Sequence, residues 1–175
     1  MVVPDEVATA AKDGNIGAME AWFAGGGDPD DRDKDGWTLL NIATSPTRCA
    51  VKKPGQGKPK PPSAAARCDA MRALLRSGAD ANGTTADGWA PIHSAAYDGR
   101  ADAAAILLDH GAKADLPSIT GRTALEYAAT RDHRAVVKVL LARGASKGRS
   151  EDVARQCGHD AVAGLIAGLG DGASQ

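Results

Sequence analysis

The chain has 175 residues, 43% of them hydrophobic, a formal net charge of -1, and only one Phe and two Tyr. One domain fits that length, but a conventional globular core would lack large side chains, whereas stacked Ala-rich and Leu-rich helices bury a continuous strip with few of them. No apolar run approaches the roughly 18 residues of a membrane span, the first residues lack the charged and apolar regions of a secretory leader, and three Cys fit reduced thiols better than a secreted disulfide framework.

Taken in order, residues 5–30 read as a helix pair with Ala10, Ala11 and Gly14 in the first half and Trp22 and Phe23 in the second. The same pattern returns 85 residues later as Ala95, Ala96, Gly99, Leu107 and Leu108. Trp22, in a leucine position, is expected to plug the core. The following DPDDRDKD, residues 28–35, sets five Asp against Arg32 and Lys34. It reads either as a solvated turn whose Asp residues bond their own backbone or as an acidic rim for a basic partner.

Residues 36–44, GWTLLNIAT, open a second pair and match 88–96 at an offset of 52. Residues 45–67, SPTRCAVKKPGQGKPKPPSAAAR, then hold five of the nine prolines and six cations with no acid. Such a segment cannot bury a core and is expected to be extended and polyproline-like. Residues 1–44 carry three cations and nine acids, net -6; residues 45–67 carry +6; residues 68–175 carry twelve cations and thirteen acids, net -1. The basic segment either folds back on the acidic N-terminal part or serves as a docking arm for an acidic or proline-recognising partner. Its cations are Arg48, Lys52, Lys53, Lys58, Lys60 and Arg67. No aromatic residue interleaves them, so nucleic acid is not an expected ligand. Cys49 and Cys68 flank the segment and could meet in a regulatory disulfide if its ends lie close, although a reducing compartment keeps them thiols; no second pair of ligands supports zinc.

Residues 69–82, DAMRALLRSGADAN, complete the second pair with Leu74 and Leu75 on the apolar face. Residues 87–115, DGWAPIHSAAYDGRADAAAILLDHGAKAD, form the most complete unit. A turn at Asp87 and Gly88 precedes Pro91 at a helix start, where its missing N–H costs nothing. Ile92, Ala95 and Ala96 make one apolar face, and Gly99 ends that helix. Ala104, Leu107 and Leu108 repeat the spacing before Gly111. The next unit opens with GRTALEYAA and closes at Gly144; a shortened last unit runs from Ser150, expected as an N-cap followed by Glu151 and Asp152, to about Leu169.

The units share a period. Gly88 and Gly121, Ala95 and Ala128, Leu107 and Leu140, and Gly111 and Gly144 are each 33 apart, as are Leu74 and Leu107. With GWAPIHSAA and GRTALEYAA in the register of GxTPLHxAA, the chain resembles the ankyrin repeat over roughly residues 5–169. The fourth unit departs from that form at Ala124 and Glu126, where Pro and His are usual. The resemblance implies an all-α solenoid of helix–turn–helix units with hairpin-like turns between repeats. It implies a single domain spanning 1–175: an N-terminal cap at 5–32, a second repeat at 33–84 carrying the basic insert at about 45–67, repeats at 85–117 and 118–149, a truncated cap at 150–169, and a fraying tail at 170–175.

No convergent catalytic group stands out. His93 occupies the TPLH-like histidine position, which implies a buried structural role. His133 and His159 fall at equivalent places, and Cys157 has no third partner assigned by the pattern. The glycines follow the period of 33, unlike a phosphate-binding loop, so neither enzyme activity nor a cofactor or metal is expected. The resemblance implies a concave face that binds another protein, formed here by Lys34, Asp35, Trp37, Trp89, Tyr97, Asp98, Ile119, Arg122 and Arg131, with Thr44 and Ser45 alongside. The rival expectation is a fixed subunit of a larger assembly, anchored by the basic insert. Both make the chain a soluble intracellular scaffold, monomeric or part of a hetero-complex. It would be cytoplasmic or nuclear, or in an organelle lumen if a targeting segment has been removed.

Overall fold

Helix ends in this chain are set by local chemistry that recurs from unit to unit. In the computed structural model, which describes residues 2–45 and 63–168, the elements are α1 (Asp5–Asp13), α2 (Ile16–Ala24), α3 (Leu39–Thr44), α4 (Ala64–Arg76), α5 (Pro91–Tyr97), α6 (Ala101–Asp109), α7 (Ala124–Thr130), α8 (Arg134–Ala142), α9 (Ser150–Gln156) and α10 (Asp160–Gly168). Thr38 and Thr123 cap α3 and α7 through their hydroxyls, accepting from the N–H groups of Asn41 and Glu126. Ala90 has no such side chain before α5. There the Ala90 N–H donates instead to His93 Nδ1 at 3.2 Å, so one imidazole takes over part of the capping. Pro91 at the first helical position has no N–H to satisfy.

Each helix is short, at most 13 residues, and would be marginal alone. The odd-numbered helices pack side by side as α1, α3, α5, α7 and α9, and the even-numbered ones form a second layer, with α4 on α6 and α6 on α8. Between the layers lie fully buried Leu39, Leu40, Met71, Leu74, Ile92, Leu107, Leu125, Leu140 and Ile166. The abundant alanines fill the close approaches: Ala95, Ala96, Ala103, Ala104, Ala128 and Ala129 have no exposure. The all-α stack of helix–turn–helix units is therefore the architecture, and its core is one strip running the length of the stack. Removing one of its leucines costs about 2–5 kcal/mol.

Polar ladders hold successive units in register. Asp30, Asn82 and Asp115, related by the same offsets as the helices, each accept through Oδ1 from a backbone N–H of the next unit, at Asp80, Lys113 and Ser146, all at 2.8 Å. At the start of the chain, the Val3 N–H donates to the Arg32 carbonyl at 2.9 Å, strapping the N-terminus to the first turn.

The last unit departs from expectation at its start. Ser150 is the first residue of α9, fully buried, and Arg149 holds the cap position without a side-chain capping bond. The Ser150 N–H donates to the Lys147 carbonyl, which closes the preceding turn one residue before the serine. Trp22 is half-buried, packed on the core and 5.4 Å from the ring of Phe23. Among the described residues no helix is long and apolar enough to cross a membrane.

Candidate functional site

Three turns between the units share one hydrogen-bond design. The N–H groups of Asp33, Thr85 and Ser118 donate to the carbonyls of Trp37, Trp89 and Arg122 at 2.9, 2.8 and 2.9 Å. In return the N–H groups of Gly36, Gly88 and Gly121 reach back to Asp33, Thr85 and Ser118. These glycines have φ of 80°, 72° and 73°, a conformation that other residues rarely adopt. The consequence is positional: the residue after each glycine stands at the same place along the row, Trp in the first two turns and Arg in the third.

The middle of that row carries an aromatic cluster. Trp89 lies 5.8 Å from Tyr97 edge-on, 6.1 Å from His93, and 4.8 Å from Tyr127. Tyr97 and Tyr127 are 6.3 Å apart. The Tyr127 hydroxyl bonds Ser118 Oγ at 3.0 Å and Thr120 Oγ1 at 2.9 Å, which ties the third turn to the ring cluster. Tyr127 was not among the expected site residues. It occupies the unspecified position of the GxTPLHxAA form, where its size was the one available signal. The guanidinium of Arg131 lies 3.5 Å over the centroid of Tyr97, within cation–π range.

Other expected residues divide. Ile119 is 73% exposed at the third turn, and a Cβ on Gly88 would come within 3.0 Å of its own Cβ, so it sits against the middle turn. Arg122, Arg131 and Asp35 are exposed and Trp37 is half-buried. Lys34 is drawn the other way, to Asp5 of the first helix at 3.1 Å, and that pairing raises its pKa. Asp98 accepts from Ser45 Oγ at 2.5 Å. Thr44 and Ser45, expected on the open face, are fully buried: Thr44 Oγ1 bonds the Leu40 carbonyl, and the next unit covers both. Of the insert, Arg67 is half-buried near Arg100; Arg48, Cys49, Lys52, Lys53, Lys58 and Lys60 lie outside the described residues, as does the tail 170–175.

The histidines are engaged in structure. His93 has no exposure; its Nδ1 accepts from Ala90, so Nε2 carries the proton and donates to the Leu116 carbonyl at 2.6 Å. Burial lowers its pKa from 6.5, with the Leu116 bond opposing. His133 Nε2 pairs with the Tyr97 carbonyl at 3.0 Å and His159 Nε2 with that of Thr130 at 3.1 Å, each the last residue of the preceding first helix. Arg100, 33 residues before His133, reaches the Ala43 and Thr44 carbonyls from the corresponding place. Three side chains of two kinds thus tie the third, fourth and fifth units each to the one before.

Beside Arg100, the thiol of Cys68 donates to Asp102 at 3.0 Å. Burial first, then this bond, pushes Cys68 up to about 11. Although burial would raise Asp102, the Cys68 thiol, the Ala103 N–H and the Arg100 charge hold its pKa below the ordinary value. Cys68 is a free thiol and Cys157 is free and exposed. Glu126, which replaces the usual histidine, is buried and pairs with Arg149 at 3.4 Å. Among the described residues no group of three or more His, Cys, Asp or Glu is placed to hold a metal.

Comparison with known proteins finds repeats of one family. A family model described as ankyrin repeats (3 copies) matches residues 63–151. The chain is similar to dynein axonemal heavy chain 12 of Bos taurus, 35% identical over 71 residues, which are 41% of this chain and 20% of that protein. It is also similar to the neurogenic locus Notch protein of Drosophila melanogaster, 45% identical over 69 residues, 39% of this chain and 3% of that protein. The chain therefore spans a fifth or less of the length of these relatives.

Proposed function

Since the chain belongs to the ankyrin repeat family, whose model covers just over half of it, we propose that it is a non-enzymatic module that receives a partner protein on the face built by its turns and first helices. Ankyrin repeats are generally protein–protein interaction modules. The observation that carries the reading is the continuous group of Trp89, Tyr97, Tyr127 and Arg131, joined through Thr120 to the exposed Ile119. Trp, Tyr and Arg are the side chains that anchor interfaces most often. Here neighbouring rings and hydroxyl bonds already orient them, so little conformational freedom is lost on binding. On the same reading the chain is one domain of five units with the boundaries set out from the sequence, and the titratable groups serve structure.

The test is recovery of partners from the native source by the wild type and by a Trp37→Ala, Trp89→Ala, Tyr97→Ala variant, with circular dichroism to confirm folding. Because Trp89 packs on the core, an Ile119→Asp variant that changes the surface alone is run beside it. Loss of partners by folded variants is expected. Full retention by both sinks the reading.

A second reading makes the basic insert the anchor of a fixed subunit. It is favoured by the +6 charge of residues 45–67 against the -6 of residues 1–44. Deleting residues 51–63 then releases the protein from its complex without unfolding it; retention after the deletion argues for the turn face alone.

A further inference from the structure

The cations of this chain are unevenly satisfied. Lys34, Arg72, Arg134, Arg143, Arg149 and Arg155 each pair with a carboxylate. Arg122 and Arg131, like Arg76, Lys113 and Lys138, are exposed and form no ion pair with a carboxylate among the described residues, and Arg131 lies over the Tyr97 ring instead. Both lie in the fourth unit, on the turn and on the C-terminal end of α7. From Arg131 a chain of contacts leads to the third turn, where Arg122 also stands: Arg131 on Tyr97, Tyr97 beside the buried Tyr127, Tyr127 bonded to Thr120, and Thr120 next to Ile119, one of the most exposed large apolar side chains. At the two earlier turns the tips are acidic, Asp35 and Asp87, while the third has Thr120 in that place. The row therefore changes sign along its length, from acidic at the second and third units to basic at the fourth.

Resting on the proposed function, we propose that this face takes an extended segment of a partner protein whose acidic end lies across the fourth unit, its carboxylates meeting Arg122 and Arg131 and a neighbouring apolar side chain lying on Ile119. A guanidinium carries its N–H groups in one plane, the geometry that a carboxylate accepts from most readily, and the contact with the Tyr97 ring holds that of Arg131 in place. The ring also takes over the orientation that a flexible arginine would otherwise lose freedom to reach. Asp35 and Asp87 repel an acidic chain at the other end, so charge sets the direction in which the segment runs. A basic segment meets the opposite arrangement, with two unpaired cations against it at the fourth unit.

Random short peptides displayed on phage and selected on the immobilised full chain test this. The expected winners are rich in Asp and Glu beside one apolar residue. Measured by fluorescence anisotropy, their affinity for the Arg122→Glu, Arg131→Glu variant falls by about tenfold or more, and binding to the wild type weakens with added salt. Peptides with the carboxylates changed to arginine regain affinity for the charge-reversed variant. Basic or neutral winners, or acidic winners that bind the charge-reversed variant equally well, overturn the inference. If such winners are still lost on Ile119→Asp, the binding face itself stands and only its charge preference is wrong. If no selected peptide is sensitive to Ile119→Asp or to the tryptophan variant, both readings fail together.

Discussion

The rings of Trp89 and Tyr127, from successive units, lie 4.8 Å apart at an interplanar angle of 33°. One ring comes from the turn that opens the third unit and the other from the first helix of the fourth, so the contact is both a joint of the stack and the floor of the face. Tyr127 is 6% exposed and its hydroxyl bonds Ser118 and Thr120. Replacing it by Phe removes those bonds at a cost of about 1 kcal/mol, whereas Ala also removes the ring and costs about 3 kcal/mol or more. Urea unfolding followed by tryptophan fluorescence and by circular dichroism distinguishes the two variants.

His93 predicts a pH dependence with a definite sign. Its folded pKa lies below the unfolded 6.5 because burial disfavours the imidazolium. The unfolded chain therefore binds the proton more readily, and the stability that His93 contributes is complete above 6.5 and lost as pH falls from there through the folded value. Between about pH 7.5 and about pH 5.5 the wild type loses more stability than a His93→Gln variant. Equal losses in parallel urea titrations would contradict this.

Two glycines with similar backbones separate strain from collision. Gly14 has φ 77°, and an added Cβ would lie 2.8 Å from the Ala66 backbone; Gly111 has φ 87° and open space around it. Gly111→Ala costs about 1 kcal/mol, the conformational penalty alone. Gly14→Ala costs distinctly more, because backbone must move where the first helix pair meets α4. Thermal unfolding of both variants checks the order.

Cys68 and Cys157 are expected to differ in reactivity because one is buried and the other exposed. A thiol pushed to about 11, buried and donating to Asp102, holds very little thiolate at neutral pH. Cys157 is exposed. Iodoacetamide on the folded protein is expected to label Cys157 well before Cys68, with mass spectrometry locating the adducts. Urea removes the difference.

The period of 33, the capping glycines and the buried leucines were legible because each unit repeats the same packing problem, and the same residue types recur in answer to it. Particular side chains were less legible where tertiary contact decided their place. Lys34 lies in a turn, yet Asp5 draws it toward the first helix. Thr44 and Ser45 follow the helix pattern of exposed positions, but their hydroxyls bond Leu40 and Asp98 and they are covered. Ser150 precedes two acids like a cap, yet the preceding turn closes early and leaves it inside the helix. Arg100 makes the same bond to the preceding unit as His133 and His159, but guanidinium and imidazole differ in type, so residue identity does not reveal the equivalence. Tyr127 filled a position the repeat leaves open, so only the structure joined it to Trp89 and Tyr97.

The central claim, a partner seated on the turn face, is tested most directly by photocrosslinking from single benzoylphenylalanine residues at Ile119 on that face and at Lys138, exposed on the second-helix layer. The account predicts a partner adduct from position 119, suppressed by Arg122→Glu, Arg131→Glu, and none from position 138. Adducts from position 138 with none from 119 would place the partner on the opposite face and contradict it.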